Sequence, residues 1–245
     1  MPRPVLLIAG GSRGIGASCA RLAGERGYDV AVNYKSNSKA AAGVVEAVTT
    51  SGGKALALPG DMAVEADIVR VFDEAASGLG PVTHFVHSAG VIGKMSRFVD
   101  APTEMLRDVI DVNLYGGMLC AREAVRRMST ATGGPGGAIV MISSIAAATS
   151  GAGEYIFYAA AKAGIDALVV GLARETAKEG IRVNAVRPGP TDTEIHEPGR
   201  LARVTPMLPM GRPGEPDEIA EAILFLLSDA ASYVSGSVLN VSGGR

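Results

Sequence analysis

The 245-residue chain has no tryptophan, and aromatic residues make up only 4% of it. That leaves too few rings for base-stacking platforms or for an aromatic belt at a membrane interface. Net charge is −2 and no basic run occurs, which argues against a dedicated nucleic-acid binder. The two cysteines, Cys19 and Cys120, stand far apart and outside any metal-ligand spacing. They read as small buried thiols in a reducing, cytoplasmic compartment. The three histidines, His84, His87 and His196, have no cysteine or acid at ligand spacing, and no Gly-x-Ser-x-Gly elbow occurs. Neither metal nor hydrolase chemistry is expected. The apolar run that opens the chain, Val5–Ala9, is too short for the core of a signal peptide. No run approaches the ~18 apolar residues needed to cross a bilayer, so no membrane partner is expected.

What the chain does have is glycine, 32 residues of it, and short apolar runs alternating with longer helical patterns. Val5–Ala9, Asp29–Asn33, Ala55–Leu58, Thr83–His87, Ala138–Ile142, Arg182–Val186 and Val238–Val241 are nearly continuous in apolar character, as strands buried on both faces are. Between them, Gly14–Arg26, Ser38–Ser51, Glu65–Gly78, Thr103–Met128, Tyr155–Glu179 and Asp217–Ser228 read as helices. Seven strands alternating with helices predict an α/β fold: one doubly wound, Rossmann-type domain over 1–245, with a seven-stranded parallel sheet and helices on both faces. The glycine-rich stretch Ser129–Gly137 reads as a surface loop, because the alternation continues beyond it. The charged runs Arg122-Glu123 and Arg126-Arg127 read as a solvated helix face. Between Ala159 and Ala173 apolar residues fall on nearly every helix face, so a sheet on one side and a partner subunit on the other are expected.

Gly10-Gly11-Ser12-Arg13-Gly14-Ile15-Gly16 follows the first strand and opens the first helix. Glycines allow a tight turn and close approach of a pyrophosphate, and a helix N-terminus offers it free N–H groups. No acid stands between Ala31 and Ser38 to take a ribose 2′-hydroxyl, whereas Arg13 and Lys35 offer positive charge suited to a 2′-phosphate. NADP(H) is therefore expected in preference to NAD(H). Tyr158 and Lys162, four apart on a helix, share one face, and an ammonium near a phenol favours the phenolate. Ser143 and Ser144 end the fifth strand, at the sheet edge where such folds bind ligands.

Together, Gly10-x3-Gly14-x-Gly16, Asp61, Ala89-Gly90, Asn113, Ser144, Tyr158-x3-Lys162 and Pro188-Gly189 resemble, over Val5 to Arg245, the short-chain dehydrogenase/reductase family. The resemblance implies hydride transfer between nicotinamide C4 and a carbonyl or secondary alcohol. Tyr158 would be the acid/base, Lys162 would lower its pKa and hold the nicotinamide ribose, and Ser144 would hold the substrate oxygen. Asn113 would keep a helix bend and a relay water. Implied cofactor contacts are Gly10, Ser12, Arg13, Gly14, Ile15 and Gly16; Asn33, Tyr34 and Lys35; Asp61 and Met62; Ala89 and Gly90; Tyr158 and Lys162; and Pro188, Gly189, Thr191 and Thr193.

The chain departs from the family pattern in places. Ala9 replaces a usual threonine, His87-Ser88 replaces a usual Asn-Asn, and Ser144 lies fourteen residues before Tyr158, one more than is common. The extra residue is expected in a loop over Ala146–Glu154. Tyr155 is followed four residues later by Ala159 rather than lysine, which leaves Tyr158 as the candidate. The Pro-rich stretch from about 190 to 212 reads as a substrate lid, with Met207, Leu208 and Met210 as an apolar underside. Arg187, Arg200 and Arg203 read as scattered, so nothing demands an acidic substrate. Small carbonyl or alcohol substrates remain open: 3-oxoacyl thioesters, sugars such as glucose, or small ketones. A non-catalytic NADP sensor or scaffold on the same fold and a nucleotide-sugar epimerase are the alternatives, the second requiring a C-terminal domain for which the chain is short. With the all-round apolar helix, the resemblance of Gly236–Arg245 to the family's assembly edge implies a homotetramer.

Overall fold

The computed structural model describes residues 3–245. In chain order the elements are β1 (Val5–Ala9), α1 (Gly14–Glu25), β2 (Asp29–Tyr34), α2 (Ser38–Thr50), β3 (Ala55–Pro59), α3 (Glu65–Leu79), β4 (Val82–His87), α4 (Thr103–Ile110), α5 (Gly116–Met128), β5 (Gly137–Ile142), α6 (Ala146–Thr149), α7 (Ile156–Thr176), β6 (Ile181–Pro188), α8 (Arg200–Val204), α9 (Pro216–Leu227) and β7 (Val238–Val241). All strand pairs are parallel, in the order β3-β2-β1-β4-β5-β6-β7. The order reverses between β1 and β4, which opens a crevice at the carboxyl ends of the strands.

Alternation along each strand feeds two cores. Val5, Leu7 and Ala9 of β1 face α3, α5 and α7, where they join Ile68, Phe72, Cys120 and Ile165. Leu6 and Ile8 face α1, α2 and α9, where they join Cys19, Val48, Ile219 and Ile223. The parallel sheet is thus covered on both sides, and both cysteines are free and buried. Burial pushes the Cys19 thiol up to about 12, so it is inert near neutrality. The helix α9 starts sharply because Pro216 sits in its first turn and Glu215 and Glu218 form a reciprocal cap.

Four details differ from the sequence reading. The helix expected over Thr103–Met128 is interrupted at Asp111–Tyr115 by a π-type turn. Glu123 is not on a solvated face: it is buried, 2.8 Å from Arg127 and 3.6 Å from Arg126. The segment expected as loop over Ala146–Glu154 begins as the short helix α6, then turns through Ser150 at φ 65°. And 156–179, containing α7, is long and apolar enough to cross a membrane by composition. It instead packs against β6 and buries Lys162 and Asp166, with Asp166 paired to Arg187 at 2.9 Å.

Candidate active site

The turn between β1 and α1 is built around missing side chains. A Cβ on Gly16 would lie 2.2 Å from the Gly10 carbonyl oxygen, and one on Gly10 would lie 2.7 Å from the Ala89 backbone. Neither backbone neighbour can yield easily. The turn is braced from behind by Asn33. Its Oδ1 accepts from Gly10 N–H, and its Nδ2 donates to the carbonyls of Leu58 and Gly60. Asn33 was expected among the cofactor contacts, but its buried side chain is committed to holding the turn. Met62 likewise sends its side chain into the core beside Cys120. The N-terminus of α1 carries no side-chain cap and no acid in its first turn, leaving its N–H groups free for an anion.

Two cations expected at this cleft are exposed and paired with acids. Arg13 Nη1 lies 2.9 Å from Glu194, and Lys35 Nζ lies 2.7 Å from Asp61. Burial alone would raise the Asp61 pKa, but the Lys35 ammonium and the Ala63 N–H outweigh it and hold the carboxyl below its usual range.

One cavity of about 260 Å³ gathers Arg13, Gly14, Ile15, Gly90, Asn113, Ser144, Tyr158, Lys162, Pro188, Gly189, Thr191 and Thr193. Gly10, Ser12, Gly16, Tyr34, Lys35, Asp61, Met62 and Ala89 are not among the residues lining it. Ser143 and Ser144 divide their work. The buried Ser143 hydroxyl donates to the Lys162 carbonyl at 3.1 Å and stabilises α7 against β5. The Ser144 hydroxyl faces Tyr158 and stabilises its ionised form. Burial still dominates there and pushes the phenol up to about 12, the Arg200 charge pulling the other way.

Lys162 does not reach the Tyr158 hydroxyl. Its ammonium lies 5.6 Å from the ring centroid and donates to the Ile142 carbonyl at 2.8 Å. Burial lowers its pKa to about 8, the Asp166 charge opposing. The expected lowering of the Tyr158 pKa by Lys162 is therefore not produced by these side chains alone.

The π-type turn carries Asn113 inward. Its Nδ2 donates to the Val91 and Val109 carbonyls at 2.7 and 2.8 Å, while its buried Oδ1 has no partner. A Cβ on Gly90 would be 2.7 Å from that Oδ1 and 3.6 Å from Lys162 Nζ. Asn113, Gly90 and Lys162 thus border one small space with an acceptor left open, as π-type turns at functional sites often do. His87 lies behind, fully buried, with both ring nitrogens unpartnered. Burial first and the Lys162 charge second push its pKa to about 3, so it is neutral. Among the described residues no His, Cys, Asp and Glu cluster could hold a metal.

The far side of the cavity was not foreseen. Glu154, Tyr155, His196 and Arg200 line it. Arg200 and Arg203, read as scattered, converge on the two oxygens of Glu154 at 3.4 and 3.2 Å. The stretch 190–212 runs over this side, tied back by the bridge of Thr191 to Gly214 and containing α8. Its apolar underside is narrower than expected: Leu208 is buried, but Met207 and Met210 are exposed.

A family model described as enoyl-(acyl carrier protein) reductase matches residues 9–245. The chain is 44% identical to an uncharacterized oxidoreductase, YgfF, of Escherichia coli, over 98% of this chain and 99% of that protein. It is 38% identical to a cis-4-hydroxycyclohexanecarboxylate dehydrogenase of Sinomonas cyclohexanicum, over 98% and 95%. It is 35% identical to an L-rhamnose 1-dehydrogenase (NAD(P)(+)) of Azotobacter vinelandii, over 98% and 95%. A short-chain dehydrogenase/reductase of Serratia marcescens superimposes with a TM-score of 0.92 at 32% identity, covering 99% of this chain and 98% of that one. Seven parallel strands, a glycine cradle at the sheet's switch point and relatives matched from end to end place the chain in the short-chain dehydrogenase/reductase family, as an NAD(P)-dependent oxidoreductase acting on small molecules.

Proposed function

We propose that the protein interconverts a carbonyl compound and a secondary alcohol with NADP(H), using Tyr158 as the proton donor and acceptor. The observation that carries this reading is that Ser144, Tyr158 and Lys162 line one cavity, which opens onto Gly14 at the start of α1. The residues present fit a dinucleotide. Gly10 and Gly16 leave room that a Cβ would fill, the α1 N-terminus is uncapped, and Asn113 Oδ1 stands open beside Lys162. When bound, a nicotinamide supplies or accepts the hydride.

The turn Gly10–Gly16 and the α1 N–H groups hold the pyrophosphate. Arg13 and Lys35 favour a 2′-phosphate; each is exposed and so free to leave its acid partner. Ser144 donates a hydrogen bond to the substrate oxygen and orients it toward Tyr158. Tyr158, protonated at neutral pH, gives its proton to that oxygen as the carbonyl is reduced, and recovers it through the Lys162 and Asn113 side of the cavity. Oxidation runs through the same groups in reverse.

The assembly proposed is a homotetramer, because apolar side chains are exposed on two separate faces. Tyr115, Met118 and Ile156 lie with the exposed Ala160, Ala163 and Ala167 on the α5 and α7 side, and Phe225, Tyr233 and Leu239 lie toward the β7 edge. Two self-complementary faces close a tetramer. Cytoplasmic residence is consistent with two buried thiols left unpaired.

Tyr158→Phe tests the central claim. Turnover of a ketone with NADPH should fall by about 10²–10⁴-fold while NADPH still binds. Unchanged turnover removes Tyr158 from the chemistry.

A further inference from the structure

The side of the cavity facing Ser144 and Tyr158 holds a guanidinium whose hydrogen-bonding capacity is not used up. The Arg200 side chain is only 11% exposed. Its plane lies over the Tyr155 ring, 5.0 Å from the centroid. Nη1 lies 3.0 Å from His196 Nδ1, and Nη2 reaches Glu154 only at 3.4 Å, near the limit of a hydrogen bond. Nε, buried, has no acceptor. The Tyr155 hydroxyl, also buried, has none either. A buried charged donor without an acceptor is uncommon in a folded protein and calls for an explanation.

The surroundings make Arg200 available to another anion. Glu154 is shared: Arg203, 48% exposed, holds its other oxygen at 3.2 Å. If a new carboxylate took Arg200, Glu154 would keep Arg203 and would not be stranded. Of the other acids of this segment, Glu197 is occupied by the Met95 N–H at 3.2 Å and Glu194 is paired with Arg13 at 2.9 Å. His196 is held neutral by burial and by the Arg200 charge, so it adds no competing cation. A guanidinium presents its donors as a planar fork that matches a carboxylate edge-on.

We infer that Arg200, with the Tyr155 hydroxyl beside it, anchors a carboxylate on the substrate, so that the molecule reduced or oxidised at Ser144 and Tyr158 is a keto acid or hydroxy acid. This rests on the proposed roles of Ser144 and Tyr158. The fork fixes the acidic end against Tyr155, and the length between that end and the reacting carbon becomes the dimension on which substrates are sorted.

The test uses 4-oxopentanoate, 5-oxohexanoate and 6-oxoheptanoate, each against its methyl ester, with NADPH oxidation followed by absorbance. For at least one chain length the acid should exceed its ester in kcat/KM by about tenfold or more, because an empty buried donor rejects the analogue that cannot fill it. Arg200→Gln should erase that advantage through KM, bringing the acid down to the level of its ester in the same variant. Arg203→Gln should preserve the advantage. In parallel, calorimetry of the NADPH-loaded protein should show benzoate binding and benzamide not binding. Arg200→Gln should abolish benzoate binding, and Glu154→Gln, which removes the competing carboxylate, should tighten it.

Equal turnover of acids and esters would overturn the inference while leaving the redox reading intact. So would an Arg200→Gln that lowers acid and ester alike, which would make Arg200 a clasp for the lid and nothing more. Benzoate binding that depends on Arg200, without turnover of any carbonyl, would keep the anchor and overturn the redox reading. If Arg200→Gln does not fold, Glu154→Gln decides: benzoate binding that is unchanged or weaker overturns the anchor.

Discussion

Gly16→Ala should cost the protein both stability and its cofactor. The added methyl would sit 2.2 Å from the Gly10 carbonyl oxygen, and that oxygen belongs to a backbone turn already pressed against Ala89. Reaching an ordinary contact of ~3.5 Å requires the turn or the helix start to retreat by about 1 Å. Overpacking of this kind costs about 1–3 kcal/mol. A loss of 2 kcal/mol in a chain of this size lowers Tm by about 4–8 °C. Binding should suffer more than stability does, because the same 1 Å displaces the N–H groups proposed to hold the pyrophosphate; NADPH affinity should weaken by about tenfold or more. Gly43→Ala is the control. Gly43 lies on the exposed side of α2, where a Cβ meets nothing within 4 Å. There alanine gains about 1 kcal/mol of helix propensity and should raise Tm by about 2–4 °C. Thermal melts and NADPH fluorescence titration of both variants measure this. A Gly16→Ala protein that melts and binds like wild type would refute the assignment of this turn as the cofactor cradle.

Three further outcomes follow from the site and the surface. Burial holds the Lys162 pKa at about 8, so carrying its charge at pH 7 costs the fold on the order of 3 kcal/mol, and that cost fades as pH rises from 8 toward the ordinary lysine value. Lys162→Met should therefore abolish turnover yet raise Tm more at pH 7 than at pH 10, which paired melts at the two values would check. Replacing Arg13 and Lys35 together by alanine should lower kcat/KM with NADPH by about tenfold or more and leave NADH nearly unaffected, since only the former carries the 2′-phosphate; equal losses with both cofactors would remove the basis for the NADP preference. Ala163→Glu places a charge in the exposed apolar face of α7 and should split the proposed tetramer into smaller species in light scattering, whereas a wild-type monomer would end that proposal.

The strands and the glycine turn were legible because their signals are local. A parallel strand buried on both faces must be apolar at every position, and Val5–Ala9 is. The family resemblance, through its Ser-to-Tyr spacing, prefers Ser144 to Ser143, and in the fold the Ser143 hydroxyl is occupied by the Lys162 carbonyl. What could not be read was convergence between distant segments. Glu154 and Arg200 are far apart in the chain, and no periodicity relates them, yet the fold of 190–212 lays one on the other. Burial of single charged residues was equally hidden. Glu123 sits in a run that looks solvated, and only the path of α5 turns it inward toward Arg127. Asn33 shows the same limit: it stands where a cofactor contact belongs, and its amide instead ties three backbone groups together.

The turn at Asp111–Tyr115 has a consequence for how this chain can vary in length. A helical residue advances the direction of its neighbours by about 100°. The π-type turn uses one residue more than an ordinary helix over the same rotation, so deleting one residue there would relax it and leave α5 in phase with α4. Cys120 and Ala124 would keep the interior they now fill, while Asn113 would lose the widened turn that carries it toward Gly90 and Lys162. A deletion within α5 itself would instead swing everything beyond it by that angle. The irregular turn thus holds a residue that the packing does not need and the open acceptor does.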